Sequence, residues 1–265
     1  MNPINLGGLP RVRDSKDINL GSVQSRIERP SNYKTDVSWL EPIWQSNTPA
    51  CGAHAGAHLK AILDYSDTGP QKYSPNDLWR EIKLIDGHRP EDGTDMRSIL
   101  KVLANRGVCD YPLMPNVFPT TLQEYTDPSK LTQTIRDNAH PRIIKAYGFD
   151  TPARAEDAIF ANKAVLLLID IGNTWFGKEY VEPFTRRDSG HFVCAYGFSA
   201  DGSIDIIDSA DRTKPFKRLS PDYPIREVGT AIDMPNWQVK AMTTQIQLLN
   251  QVVALLIKQL NKGRK

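Results

Sequence analysis

The chain has 265 residues, of which 40% are hydrophobic and 24% charged, and its formal net charge is +2. That length buries a real core in one large or two small domains, and so even a charge offers no basic surface to nucleic acid or acidic membranes. The opening residues lack a signal-peptide core, no long apolar run suggests a membrane span, and the three cysteines (51, 109 and 194) leave at least one thiol unpaired, so a reducing, cytoplasmic setting is expected.

Residues 1–36 are rich in Gly, Pro, Asn, Ser and charge without periodicity, and read as an extended N-terminal arm. The run CGAHAGAHLKAILDY (51–65) sets Ala53, Ala57 and Ala61 beside Leu59, Ile62 and Leu63 at helical spacing, which puts Cys51 at a helix N-terminus. SPNDLWREIKLI (74–85) opens with Ser and Pro, the expected start of a second helix. TDMRSILKVLANRG (94–107) predicts a third, capped by Thr94 or Asp95 and closed by Gly107. Pro112, Pro115 and Pro119 then break the chain into loop.

PRIIKAYGF (141–149) and KAVLLLIDI (163–171) read as strands with the helix ARAEDAIFAN between them. GHFVCAYGFSADGSIDIIDSA (190–210) alternates around a turn, as a hairpin does. Helices in the first half and antiparallel strands in the second predict an α+β main domain over 37–235, its two lobes sharing a cleft. In the tail, Ile246, Leu249, Val253, Leu256 and Leu260 follow a heptad seam. That predicts an amphipathic helix over 240–262 that docks on its own domain, self-associates or binds a partner protein.

A thiol at a helix N-terminus is favoured as thiolate by exposed N–H groups and the dipole, and a nucleophile there needs a base. Of five histidines, His191 stands at the mouth of an apolar strand with Gly190 before it, leaving room for an approaching group. Across the hairpin, Asp208 is able to hold the imidazole in one tautomer. His54 and His58, four residues apart on the Cys51 helix, offer a Cys/His/His zinc set without the Glu of a catalytic zinc helix; the preferred reading is no metal and no cofactor. Cys109 and Cys194 read as buried thiols, Trp39, Trp44, Trp79 and Tyr196 as packing, and His88 and His140 as surface residues.

PIWQSNTPACGAHAGAHLKAILDY resembles the active-site segment of papain-like cysteine peptidases, especially their prokaryotic branch. The family carries a Gln six residues before its nucleophilic Cys, as Gln45 and Cys51 are here, and its base follows the Cys by roughly 130–150 residues; 191 − 51 = 140. EDGTDMRSILKVLANRGVC, AEDAIFANKAVLLLIDI and GHFVCAYGFSADGSIDIIDSA are similar to later family segments in the right order. The arm segment LGGLPRVRDSKD and TDVSW (35–39) resemble what precedes the Cys in prokaryotic members. The resemblance implies a helical left lobe and an antiparallel sheet on the right, with the active-site cleft between them. It implies a Cys51, His191 and Asp208 triad, an oxyanion hole from the Gln45 amide and the Cys51 N–H, and peptide pairing at Gly93. Thr94 and Met96 would lie near the pocket for the residue two before the cut. The expected substrate is a peptide or protein, and a bacterial or phage setting makes virion association an alternative to the cytoplasm.

The sequence also departs from the family. Gly52 stands where an aromatic follows the nucleophile, Asp208 replaces the commoner Asn, and the Trp motif after it is missing (DSADRT), which leaves the shield of the His–Asp contact unassigned. A rival alignment setting Cys51 on the family's preceding Cys would put His54 at the nucleophile and describe a dead enzyme. Gln45 favours the live one. A cysteine endopeptidase is the first reading; a catalytically silent peptide-binding or assembly module and an acyl-transferring relative are the alternatives. The arm, shorter than the inhibitory pro-segments of secreted relatives, is expected to pack on the body and leave the cleft open.

Overall fold

The computed structural model describes residues 6–11, 28–118, 120–139, 144 and 146–232. Most of the arm, His140, most of 141–145 and the helix expected over 240–262 lie outside the described residues. The first lobe is helical. Helix α1 (Cys51–Thr68) is buried on all sides from Cys51 to Leu63, His54, His58 and Lys60 included. Helix α2 (Pro75–Lys83) starts as predicted, with the Ser74 hydroxyl accepting from the Asp77 N–H at 3.0 Å. Helix α3 (Met96–Asn105) is capped by Asp95, whose carboxylate accepts from the Ser98 N–H at 3.1 Å.

The second lobe is a sheet of eight described strands: β2 (Tyr33–Lys34), β4 (Ala146–Asp150), β5 (Val165–Gly172), β6 (Tyr180–Val181), β7 (Arg187–Phe198), β8 (Ile204–Ile207), β9 (Phe216–Leu219) and β10 (Ile225–Ile232). Their order is β4-β10-β5-β7-β8-β9-β6, with β2 on β7 and every pairing antiparallel except β6–β9. Strand β5 explains its unbroken apolar run, because both faces are covered. Leu166 and Leu168 face the core shared with α1 and α3, while Val165, Leu167 and Ile169 face helix α6 (Ala155–Asn162). The fold is α+β with two lobes, as the order of elements predicted.

The stretch after Gly107 differs from expectation. Instead of loop it folds into short helical turns, including α4 (Leu122–Thr126), which a Thr121–Glu124 capping box opens, and α5 (Gln133–Ala139). Helices of five and seven residues show too little periodicity to read from sequence. Among the described residues no helix is long and apolar enough to cross a membrane.

Candidate active site

Cys51 opens α1, with Ala50 as the residue before the first turn and no acidic side chain in that turn. The first N–H groups of the helix have no partner within it, so a developing negative charge at Cys51 meets donors and the dipole's positive end. Its Sγ accepts from the Phe192 N–H at 3.4 Å, which brings the helical lobe and β7 together at one point. The register Ile169↔His191 and Cys194↔Ile207 carries His191 and Asp208 to the same end of the sheet. There His191 Nε2 contacts Asp208 Oδ1 at 2.8 Å. Nε2 is thereby fixed, and Nδ1 has no hydrogen bond of good geometry among the described residues. Burial alone would lower the His191 pKa, but hydrogen bonds to Asp208 and Cys51 and their charges outweigh it and hold the pKa up at about 9.

Asp208 is itself fully engaged. Oδ1 also accepts from the Ala210 N–H at 2.9 Å, and Oδ2 accepts from Trp175 Nε1 at 2.8 Å. The Trp175 ring stands edge-on to His191 at 5.6 Å between centroids and is completely buried. The shield that the sequence left unassigned is this indole, which comes from the turn after β5 rather than from the segment after Asp208. Nothing in GNTWFG marks it in the sequence, because the link to Asp208 spans three strands and the turns between them.

Gln45 is buried, its N–H bonded to the Ser209 carbonyl at 2.9 Å and its Oε1 accepting from the Ser209 hydroxyl at 2.7 Å. Its Nε2 donates to the Thr48 carbonyl at 2.8 Å, and an amide nitrogen carries a second hydrogen. His54 and His58 hold this segment from below. His54 Nδ1 donates to the Ile43 carbonyl at 2.9 Å, and His58 Nε2 accepts from the Ile43 N–H at 3.0 Å. Both rings are thus neutral clamps on one residue two before Gln45. Burial, reinforced by His58 for His54 and by Lys72 for His58, presses their pKa values down to about 3 and about 4. Among the described residues no cluster of His, Cys, Asp or Glu is set to hold a metal.

Gly52 has a steric cause. A Cβ there would lie 2.6 Å from Ile99 Cδ1 and 2.8 Å from Thr94 Cγ2, so α3 and Thr94 occupy the space of the expected aromatic. Cys109 and Cys194 are buried, and burial pushes both thiols up in pKa. His88 is half-buried and pairs with Asp95 at 3.4 Å. Met96 is buried against Gly229.

The arm departs from expectation. Residues 6–11 do not avoid the cleft; they thread it. Strand β1 (Gly8–Leu9) pairs in parallel with β3 (Thr94–Asp95), and the Gly7 carbonyl accepts from the Thr94 N–H at 2.9 Å. On the other side the Gly8 carbonyl lies against Gly190, and a Cβ on Gly8 would sit 2.6 Å from the His191 nitrogen. Gly93, with φ +92, turns its Cα toward Gly7, where any side chain would collide. Leu6 donates to the Ser189 hydroxyl at 3.2 Å, and the Arg11 N–H donates to Glu227 Oε1 at 3.1 Å. The Arg11 guanidinium covers the Phe149 ring at 3.9 Å and pairs with Glu227 at 3.5 Å.

No protein-family model matches the sequence, and no curated protein sequence is similar to it. Solved structures are similar in fold. Xylellain, a cysteine protease from Xylella fastidiosa, superposes with a TM-score of 0.74 at 15% identity, over 88% of this chain and 98% of that one. Procathepsin B S9 from Trypanosoma congolense gives 0.64 at 14% identity, over 86% and 83%. The bromelain protease from Ananas comosus, in complex with the E64 inhibitor, gives 0.59 at 12%, over 78% and 100%. The chain has the papain-like fold.

Proposed function

We propose that the protein is a cysteine endopeptidase acting through Cys51, His191 and Asp208. The observation that carries this is the convergence of a helix-terminal thiol with a buried His191–Asp208 pair, from opposite lobes, beneath a groove already lined by an extended peptide segment. In the proposed reaction the Cys51 thiolate attacks a peptide carbonyl, and a C–S bond forms as the carbonyl oxygen becomes an oxyanion. The second Gln45 Nε2 hydrogen and the Cys51 N–H are the donors to that oxygen. His191, protonated at neutral pH by the charges around it, gives its proton to the leaving amine as the C–N bond breaks. Water then attacks the thioester, His191 takes up its proton, and the acid product leaves with Cys51 restored. Gly93 and Gly190 admit the substrate backbone from both sides, with Thr94 and Met96 beside it.

Substrate enters only when Leu6–Arg11 has left, because two chains cannot share the Thr94 N–H and the gap between Gly93 and Gly190. The occupied groove is also the observation that favours the second reading, a silent module whose cleft holds its own arm. Alkylation of the full-length protein with iodoacetamide at pH 5–7, followed by peptide mapping, separates the two. A peptidase labels Cys51 faster than Cys109 or Cys194 and loses that preference in His191→Ala; equal, slow labelling of all three thiols sinks the peptidase reading. Product analysis with added amines distinguishes hydrolysis from acyl transfer.

A further inference from the structure

Lys217, on β9, is buried and lies behind the carboxylate rather than beside the thiol. Its Nζ donates to the Trp175 carbonyl at 3.1 Å, the Lys178 carbonyl at 2.7 Å and Asp211 Oδ2 at 2.8 Å, and stands 3.9 Å from Asp208 Oδ2. Asp211 in turn accepts from the Gly177 N–H at 2.7 Å, so the pair fastens both ends of the turn that carries Trp175. A buried ammonium is costly unless its partners satisfy it, and here every proton has an acceptor. An acid in the triad position puts a full charge where an amide would put none, and Asp211 adds a second charge nearby. With Lys217 the three groups sum to one negative charge; without it the two carboxylates leave two.

We infer that Lys217 is a positioning residue for the proposed reaction, its buried charge restraining the Asp208 carboxylate while its hydrogen bonds hold the Trp175 turn against His191. The inference rests on the triad reading above. The groups that face this cluster are His191 on β7, Asp208 and Asp211 after β8, Tyr223 ahead of β10, and Cys51, His58 and the neutral His54 on α1. Tyr223 is neutral at working pH, and its hydroxyl donates to the Asp170 carbonyl at 2.9 Å. His58 is neutral as well. The remaining charges therefore act on His191 in opposite senses, Asp208 and Asp211 raising its affinity for a proton and Lys217 lowering it.

The test is a titration from pH 5 to 11 of full-length protein carrying ring-labelled histidine, read by NMR, with His191 assigned from the His191→Ala spectrum. Because thiol and imidazole titrate together, the quantity followed is the upper midpoint of the pair. Lys217→Met should raise that midpoint by about 0.5–1 pH unit, and Lys217→Arg, which keeps the charge, should bring it back most of the way. Asp211→Asn should move it the other way, down by a similar amount. If Lys217→Met fails to fold, Asp211→Asn decides alone: a downward shift supports the assignment, and no shift or an upward one overturns it. A Lys217→Met protein that folds yet keeps its midpoint overturns it as well, since a purely structural lysine would lower stability without moving the titration. Failure of the peptidase reading is distinguishable, because it appears as loss of Cys51 selectivity in iodoacetamide labelling of the unmutated protein.

Discussion

Adding one methyl group to the arm should open the cleft. Gly8 does not have a left-handed backbone, so alanine fits its conformation, but the new Cβ would fall 2.6 Å from the His191 nitrogen and 2.7 Å from the Gly190 carbonyl carbon. Both are backbone atoms of β7 in mid-sheet, and neither yields as the end of a flexible side chain does. Overpacking of this kind costs about 1–3 kcal/mol, and the arm, a short two-residue strand tied down through Leu6, Gly7 and Arg11, is the element able to move, whereas β7 is fixed in mid-sheet. Converted to a population, that is a rise of about 5- to 150-fold in the fraction of molecules with the arm displaced. The assay is iodoacetamide labelling of full-length Gly8→Ala at pH 6.5, with Cys109 and Cys194 as internal references buried elsewhere. Cys51 should label faster by that factor while the references stay unchanged. An unaltered Cys51 rate would show that the arm does not control access; faster labelling of all three would mean that the substitution loosened the whole fold.

The histidines set a stability optimum. His191 has a folded pKa of about 9 against roughly 6.5 when unfolded, so its contribution is complete below pH 6.5 and is lost as pH rises toward 9. His54 and His58, held neutral with values of about 3 and about 4, bind protons more weakly folded than unfolded, so stability also falls as pH drops from 6.5 toward 4. Urea midpoints measured from pH 4 to 9 should therefore peak near 6.5, and His191→Ala should flatten only the alkaline side. Gly52→Ala should destabilise the protein by about 1–3 kcal/mol through Ile99 and Thr94, and Ile99→Ala should recover part of it in a double-mutant cycle; strict additivity would refute the contact. Trp175→Phe keeps a ring against His191 but removes a donor to a buried carboxylate, so a loss of about 1.5–3 kcal/mol and slower Cys51 labelling are expected. Unchanged stability and labelling would show that the indole N–H has no role.

Much of this site can be read from single residues and their spacing. Gln45 and Cys51 are local to each other, and His191 and Asp208 flank one hairpin, so two short-range patterns name four of the buried groups. Helix α1 was legible for the same reason, since alanine and leucine at helical spacing leave no other use for the segment. What escaped carries no local signature. Trp175 and Lys217 reach Asp208 from 33 and 9 residues away along separate turns, and neither side chain differs in the sequence from an ordinary core indole or surface amine. Gly52 looked like a missing aromatic because its reason lies far along the chain, in the terminal methyl of Ile99 on α3 and the methyl of Thr94.

The arm was misread for an instructive reason. Gly7 and Gly8 have the composition of a flexible linker, and such residues usually mark a chain with nothing to hold. Here they are glycine because the cleft is narrow on both sides. Gly93 on one lobe and Gly190 on the other have given up their side chains so that a foreign backbone can pass between them, and a chain threading that gap must itself lack side chains where it touches both. The same two glycines that would admit a substrate thus select the sequence of the segment that excludes it. Under the proposed function arm and substrate compete for one set of backbone contacts, so a change at Gly8 acts on access before it acts on chemistry. Changes at Gly93 or Gly190 should not separate the two. A side chain at either position blocks arm and peptide alike, so those variants should label Cys51 faster with a small alkylating probe yet cleave no peptide.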